Sequence, residues 1–163
     1  MSFLVRKIDK GKWLKNDIKN GAPVAADAIT ICMKTTENTL STWEIDTPGD
    51  IEKAVLAIVA AGDHLETIDV VILDRQYLDA QGVKAVPVEG KTPIATLRKT
   101  HHNLENLTYP KLGILAEHTV EMFRKDLVPR YLERELIRIL KEAISQSLLS
   151  PGDLQAPISR KLS

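Results

Sequence analysis

Histidines and carboxylates are the side chains of this 163-residue chain with the widest chemical range. His101 and His102 stand side by side, and histidine takes up and releases protons near neutral pH. Asp74 and Arg75 directly follow an apolar run that predicts a buried strand. Because ligands collect beyond the carboxyl ends of strands in α/β sheets, Asp74 and Arg75 are expected at the rim of a small-molecule site. These four residues are the catalytic candidates.

The same four residues also have simpler interpretations. Asp74 is a typical capping residue for a following turn, and Arg75 beside it would then be solvated. His101 and His102 near a helix end would be favoured by the helix dipole alone. If the chain is an enzyme, these residues point to a nucleotide or a nucleic-acid phosphodiester as substrate, because cations and imidazoles suit phosphate chemistry.

A weak metal-binding pattern runs over two predicted helices. Its members are two histidines and two glutamates: His101, Glu105, His118 and Glu121. They would meet only if the two helices packed antiparallel. The order is His-x-x-Glu, whereas binuclear sites in helical bundles use Glu-x-x-His. We therefore predict no metal and no cofactor.

Residues of two other predicted strands form a further pattern. Arg6 lies in the first strand, and Ser41, Thr42 and Glu44 lie in a later one. An arginine, strand hydroxyls and a later glutamate are similar to the broad arrangement of ADP-ribosyl-transferring folds. That resemblance implies that the arginine grips a dinucleotide phosphate, the hydroxyl orients ribose and the glutamate stabilises an oxocarbenium-like centre. It covers isolated residues without diagnostic spacing, so no family is assigned from it.

A phosphate-binding loop and an internal disulfide are both excluded, because the residues that each requires are incomplete. Gly90-Lys91-Thr92 resembles the end of a phosphate-binding loop, but Ala85 stands where that loop needs glycine. Pro93 then removes an N–H from the following turn. Cys32 is the only cysteine, so no internal disulfide is possible, and we expect a small buried side chain in a reducing cytoplasm.

Charge is balanced overall but uneven along the chain. There are 22 basic and 22 acidic side chains, and the first 20 residues hold six basic against two acidic ones. A basic arm and helices around residues 93–125 suggest a DNA-binding regulator as a further alternative, although net neutrality disfavours nucleic acid as a partner. No apolar run approaches the ~20 residues that span a bilayer, so no membrane partner is predicted. No signal peptide is evident, which favours a cytoplasmic location.

Residues 1–90 are expected to form the sheet-containing part of a single domain, 1–163. A capped helix over 51–62 lies between two strands and completes one β-α-β crossover. Pro87 confines the last strand to a sheet edge. The pattern predicts an α+β fold with a small mixed sheet of about five strands, at residues 3–8, 28–33, 40–45, 68–73 and 83–88.

The rest of the chain is expected to be helical over residues 91–149. Prolines and Thr108 predict about three helices, at 93–107, from Tyr109 to about residue 123, and 129–149. Residues 150–163 are expected to form a loosely ordered tail.

The last predicted helix has an unusually wide apolar arc. Ile137, Ile144 and Leu148 widen the stripe that would face the core, and wide apolar patches are rare on monomers. Because no catalytic motif is complete, the leading interpretation is a non-enzymatic cytosolic accessory or regulatory protein. Its helical half would contact another protein or a second copy of itself through these three residues.

Overall fold

A six-stranded sheet forms the centre of the molecule, which we describe from a computed structural model covering residues 1–163. The strand order is β4-β5-β2-β1-β3-β6, and every neighbouring pair is antiparallel. The strands are β1 Phe3–Ile8, β2 Leu40–Ile45, β3 Ile68–Asp74, β4 Ala85–Pro87, β5 His101–Leu104 and β6 Arg130–Tyr131.

Seven α-helices cover the two faces of the sheet. Four of them pack with the face of Leu4 and Leu73, namely α1 Lys10–Trp13, α2 Ala26–Cys32, α4 Arg75–Ala80 and α5 Tyr109–Arg124. Three pack with the face of Val5 and Ile72, namely α3 Ile51–Ala60, α6 Glu133–Ser145 and α7 Ala156–Leu162. The sheet is therefore buried on both faces, which explains the continuous apolar run of β3.

The α+β class is confirmed, but the sheet differs from the prediction in two respects. It has six strands instead of five, because residues 101–104 and 130–131 form strands that were not predicted, whereas residues 28–33 do not form a strand. It is also antiparallel between all neighbours. The β2–α3–β3 crossover joins two parallel strands as predicted, yet β1 lies between them and pairs with both.

The capped helix at the centre of this crossover begins as the sequence predicts. The Asp50 carboxylate accepts hydrogen bonds from the backbone N–H and the hydroxyl of Thr47, at 3.2 and 3.0 Å. Pro48–Asp50 is a 3-10 turn that continues into α3. Capping residues of this kind satisfy backbone donors that have no partner inside the helix.

Three local predictions were wrong. Residues 28–32 belong to helix α2 and Met33 directly follows it; Ala28 and Cys32, one turn apart, are both buried. Residues 93–107 are not a helix: a 3-10 segment, Ala95–Thr100, leads into β5, whose pairing with β2 outweighs local helix preference. The tail forms a 3-10 turn, Pro151–Asp153, and α7.

Candidate active site

The pairing of β2 with β5 brings a serine and a histidine together across 60 residues of sequence. His101 lies opposite Trp43 in the ladder, and Asn103 lies opposite Ser41. Side chains directly opposite each other in antiparallel strands are on the same face of the sheet. The Ser41 hydroxyl consequently reaches the His101 ring, with 2.5 Å between Oγ and Nε2.

Backbone and aromatic contacts hold the His101 ring in one orientation. Its Nδ1 lies 2.8 Å from the carbonyl oxygen of Val88, which can only accept a hydrogen bond. The proton of the neutral ring is therefore on Nδ1, and Nε2 is free to accept from the Ser41 hydroxyl. Trp43 packs edge-on against the ring, with 4.9 Å between the ring centroids.

Burial lowers the pKa of His101 below its usual value of 6.5, and the adjacent His102 acts in the same direction. The hydrogen bond to the Val88 carbonyl opposes this shift by favouring the charged ring. The net lowering keeps the imidazole neutral at pH 7. A neutral imidazole is the form that can remove a proton from a hydroxyl.

The segment that carries Val88 reaches the ring because of a glycine. A Cβ atom at Gly90 would lie 2.5 Å from Cη2 of Trp43 and 2.8 Å from Cβ of His101. The N–H of Gly90 also donates to the carbonyl of Arg98, at 2.9 Å. The Gly-Lys-Thr stretch is therefore a close-packed turn against the site and not part of a phosphate-binding loop.

The serine and histidine open into a cleft of about 480 Å³. One side is apolar and includes Trp43, Ile58 and Val88. Two lysine side chains, Lys7 and Lys91, also line it. An apolar wall with ammonium groups beside it suits a ligand that has a carbon skeleton and an anionic group.

Chemically, the arrangement is that of a hydroxyl nucleophile and a general base. The hydroxyl donates to a neutral imidazole, and a fixed acceptor holds the opposite ring nitrogen. The same logic of nucleophile, base and orienting group recurs in unrelated hydrolases. Here a backbone carbonyl takes the orienting position that a carboxylate often occupies.

The other catalytic candidates do not join this site. His102 points to the opposite face of the sheet because successive side chains of a strand alternate. There, Nε2 of His102 lies 3.0 Å from Oε2 of Glu44, and a guanidinium nitrogen of Arg75 lies 2.9 Å from the same oxygen. Glu44 thus links β2, β5 and α4, and its two partners are structural contacts of that carboxylate.

Asp74 caps helix α4 and borders a different cleft. Its Oδ1 accepts from the backbone N–H of Tyr77, at 3.1 Å, as expected of a capping residue. The backbone N–H of Asp74 donates to Nε2 of the buried His118, at 2.9 Å. Tyr77 stacks on His118 with 4.6 Å between the ring centroids. This cleft has a volume of about 590 Å³ and holds charges of both signs.

The four metal candidates are not brought together. His101 lies on the face covered by α3, whereas His118 belongs to α5 on the other face. Glu105 follows β5 instead of lying one helical turn from His101. No group of three or more His, Cys, Asp or Glu side chains is placed to hold a metal ion.

Arg6 is engaged by the protein itself, which removes the basis of the ADP-ribosyl-transferase resemblance. Its guanidinium donates twice to the carbonyl of Cys32, at 3.1 and 2.8 Å, and once to the carbonyl of Ser41, at 2.8 Å. Burial lowers the pKa of Arg6 to about 10. The arginine therefore anchors α2 to β2 with three of its five N–H donors, and this structural role accounts for its position in β1.

The predicted partner-binding residues lie at the edge of the second core. Leu136, Ile139, Leu140 and Ala143 of α6 are buried, and Ile137 and Ile144 are half-buried against the same cluster. Leu148 is 40% exposed. Most of the wide apolar arc is therefore covered by this chain's own helices. The predicted helix pair around residues 93–125 is absent, since only α5 is helical there besides a 3-10 segment.

Sequence reasoning named both Ser41 and His101 but did not connect them. Burial alternates along His101–Leu104 in the structure, where only His102 and Leu104 are buried. The residue types themselves do not alternate between apolar and polar, so the sequence has no strand signal there that would have placed Ser41 and His101 on a shared face. The role of Val88 depends on a backbone carbonyl and has no sequence signal.

No helix of the structure combines the length and the apolar character needed to cross a bilayer. No family model, curated protein or solved structure matches this chain.

Proposed function

We propose that this protein is an enzyme that cleaves or transfers a phosphate ester, with Ser41 as nucleophile and His101 as general base. The observation that carries the proposal is the chain of hydrogen bonds from the Ser41 hydroxyl through His101 to the Val88 carbonyl. A hydroxyl is a weak nucleophile unless an adjacent base takes its proton. Of the four catalytic candidates from the sequence, His101 keeps a catalytic role. Ser41 takes the place of Asp74, Arg75 and His102.

The charges beside the pair favour phosphoryl over acyl transfer. Lys7 and Lys91 line the cleft, and the N–H of Gly90 is already used by the Arg98 carbonyl. Ammonium groups stabilise the charge that spreads over the oxygens of a transferring phosphoryl group. Acyl transfer instead calls for donors converging on a single oxyanion, often backbone N–H groups.

The reaction then proceeds in two balanced steps. Ser41 Oγ bonds to phosphorus as its proton moves to His101 Nε2, and the leaving alkoxide takes that proton as its P–O bond breaks. Water next attacks the phosphoserine and gives a proton to His101, the bond from phosphorus to Oγ breaks, and Ser41 Oγ recovers the proton. Hydrolysis returns both side chains to their starting states.

Turnover of the chromogenic diester bis(4-nitrophenyl) phosphate tests this proposal. We expect Ser41→Ala and His101→Gln each to lower kcat/KM by about 10²–10⁴, the usual contribution of a positioned base. Ser145→Ala is the matched control, because Ser145 is an exposed serine whose hydroxyl donates to the Glu142 carbonyl. The proposal would be overturned if the unaltered protein and its three variants turn over the diester equally, or if the unaltered protein does not turn it over at all.

A second candidate function is contact with another protein chain through the outer side of α6. Partial exposure of Ile137 and Ile144, with Leu148 beside them, favours it. We expect Leu148→Gln, the variant least able to disturb the core, to weaken self-association in light scattering without lowering the melting temperature. This function would be contradicted if the unaltered protein is monomeric and captures no stoichiometric protein partner from its own cells.

A further inference from the structure

The cleft of the Ser41–His101 pair continues into two smaller hollows. One, of about 370 Å³, shares Lys91 with the cleft and is lined further by Arg98 and by Gln155. The other, of about 410 Å³, shares Val88 and Glu89 with the cleft and reaches Arg98 and Lys99. The shared residues make the three hollows a connected surface on one side of the active site.

Positive charge predominates along this connected surface. Five basic residues line it, and none of them forms an ion pair within the protein: Arg6, Lys7, Lys91, Arg98 and Lys99. Arg6 is bonded to backbone carbonyls, which leaves the other four as the candidates for binding an anion. The acidic residues on it are Glu89 and Asp153. Unpaired cations in concave surfaces raise the local concentration of anionic ligands.

The larger cleft on the opposite face of the sheet provides a comparison within the same molecule. It contains Asp74, Glu117 and Glu121 together with Arg124 and Lys125, so its charges nearly balance. Arg124 also pairs with Glu121, at 3.3 Å. The larger cleft therefore lacks the excess of unpaired cations found beside Ser41 and His101.

Arg98 is held in place for such a role by its backbone and one guanidinium nitrogen. Its Nε donates to the Thr92 carbonyl at 2.8 Å, and its own carbonyl accepts from Gly90. The two terminal nitrogens of its guanidinium have no hydrogen-bond partner in the protein. A guanidinium fixed at one end with its fork unpartnered suits the oxygens of a phosphate.

We infer that the substrate is a single-stranded chain of phosphodiester-linked nucleotides with at least two phosphates in contact with the protein. This inference rests on the proposed function, since it names the substrate class of the same site. The scissile phosphate would lie at Ser41 between Lys7 and Lys91, and the next phosphates would lie along Arg98 and Lys99. Hydrolysis by the two steps above would yield two shorter chains, one ending in a phosphate monoester and the other in a hydroxyl.

Binding of a labelled oligonucleotide to Ser41→Ala protein, which retains the cleft without the nucleophile, tests the inference. The probe is 5′-fluorescein-labelled hexathymidylate in fluorescence anisotropy, and thymidine monophosphate serves as a competitor with one phosphate. We expect hexathymidylate to bind more tightly than the monophosphate. Each lost phosphate contact should also lower the slope of log K against log salt by about 0.7, the single-strand value.

The variants are Lys91→Met and Lys99→Met, each added to Ser41→Ala. Lys53→Met is the matched control, because Lys53 is an exposed lysine that pairs with Asp50 and lines none of the three hollows. We expect both test variants, and not the control, to weaken hexathymidylate binding and reduce its salt slope. No binding of hexathymidylate, or equal affinity in all four proteins, would overturn the inference.

The failure of this inference is distinguishable from that of the proposed function. If Ser41 and His101 are required for diester turnover while Lys91→Met and Lys99→Met bind as the control does, the substrate class is wrong and the catalytic pair stands. If the lysines are required for hexathymidylate binding while Ser41→Ala retains full diester turnover, the surface binds nucleotide chains and the proposed reaction is wrong.

Discussion

At the scale of single residues, the site depends on which nitrogen of His101 carries the proton. The Val88 carbonyl fixes that proton on Nδ1, and burial lowers the pKa of the ring, so Nε2 stays unprotonated at neutral pH. His118 is also kept neutral, since burial lowers its pKa and its Nε2 accepts from the Asp74 N–H. Protonation of His118 removes the acceptor of the Asp74 N–H, and protonation of His101 removes the acceptor of the Ser41 hydroxyl while the bond from Nδ1 to the Val88 carbonyl is retained.

Stability should therefore fall as the pH drops below the usual histidine value. In the unfolded chain these histidines bind a proton near pH 6.5, whereas in the folded chain they bind it only at lower pH. The unfolded state then holds more protons, and the free energy of unfolding decreases with decreasing pH across that interval. Urea unfolding at pH 7.5 and 5.5 measures the decrease, which should be smaller in His101→Gln. An identical decrease in this variant would mean that His101 titrates normally in the folded protein.

At the scale of elements, the site depends on close contact between the turn at Gly90 and strands β2 and β5. Trp43 and His101 leave no room for a Cβ at Gly90, and the same turn delivers the Val88 carbonyl to the ring. Glu44 on the other face of β2 holds His102 of β5 and Arg75 of α4. The strands that carry Ser41 and His101 are thus fixed from both faces.

Gly90→Ala should displace this turn and separate the Val88 carbonyl from His101. We expect a loss of about 1–3 kcal/mol of stability, as for other overpacked positions, with a larger fractional loss of diester turnover. Calorimetry and kinetics on the same preparation measure the two effects. Gly113→Ala is the control, since a Cβ there meets nothing within 4 Å. Full turnover by Gly90→Ala would show that the turn does not position the ring.

Glu44→Gln tests the support on the opposite face. The change leaves the buried His102 and the half-buried Arg75 without their shared carboxylate. Because Glu44 and Arg75 are both partly exposed, we expect a loss of about 1–3 kcal/mol in the free energy of unfolding, measured by urea unfolding. Glu142→Gln, which removes an exposed partner of Arg138, should cost far less. Equal effects of the two changes would show that the Glu44 contacts add little.

At the scale of the whole molecule, the C-terminal residues complete the core beneath α3 and α6. Ile158 is fully buried and Leu154 nearly so, and Lys161 bonds to the Leu65 carbonyl at 3.0 Å and pairs with Glu133 at 3.0 Å. Helix α7 therefore closes the face of the sheet that carries the proposed active site.

Ile158→Ala should destabilise the protein by about 2–5 kcal/mol, the usual cost of removing a buried isoleucine side chain. Thermal unfolding followed by circular dichroism measures this loss. Leu162→Ala, at a half-buried position of the same helix, should cost less. A melting temperature unchanged by Ile158→Ala would mean that α7 is not part of the folded core.

Local signals in the sequence were enough for the strands β1, β2, β3 and β4 and for the helices α3, α5 and α6. Distant pairing creates β5 and β6, which the local signals missed. The cap at Thr47 and the apolar run of β3 act within a few residues. By contrast, β5 forms because residues 101–104 meet β2 sixty positions earlier, against a local pattern that suits a helix. The Ser41–His101 pair depends on that register, so no reading of either residue alone predicts it.

The most direct test of the Ser41–His101 pair requires no knowledge of the substrate. Diisopropyl fluorophosphate phosphorylates activated serines: Oγ bonds to phosphorus, fluoride leaves and the adjacent base takes the proton. We expect mass spectrometry to find the adduct on Ser41 and not on Ser145, with labelling slowed about 10²-fold or more by His101→Gln. Labelling that is absent from Ser41, or equally fast in the His101→Gln protein, would contradict the assignment of Ser41 as an activated nucleophile.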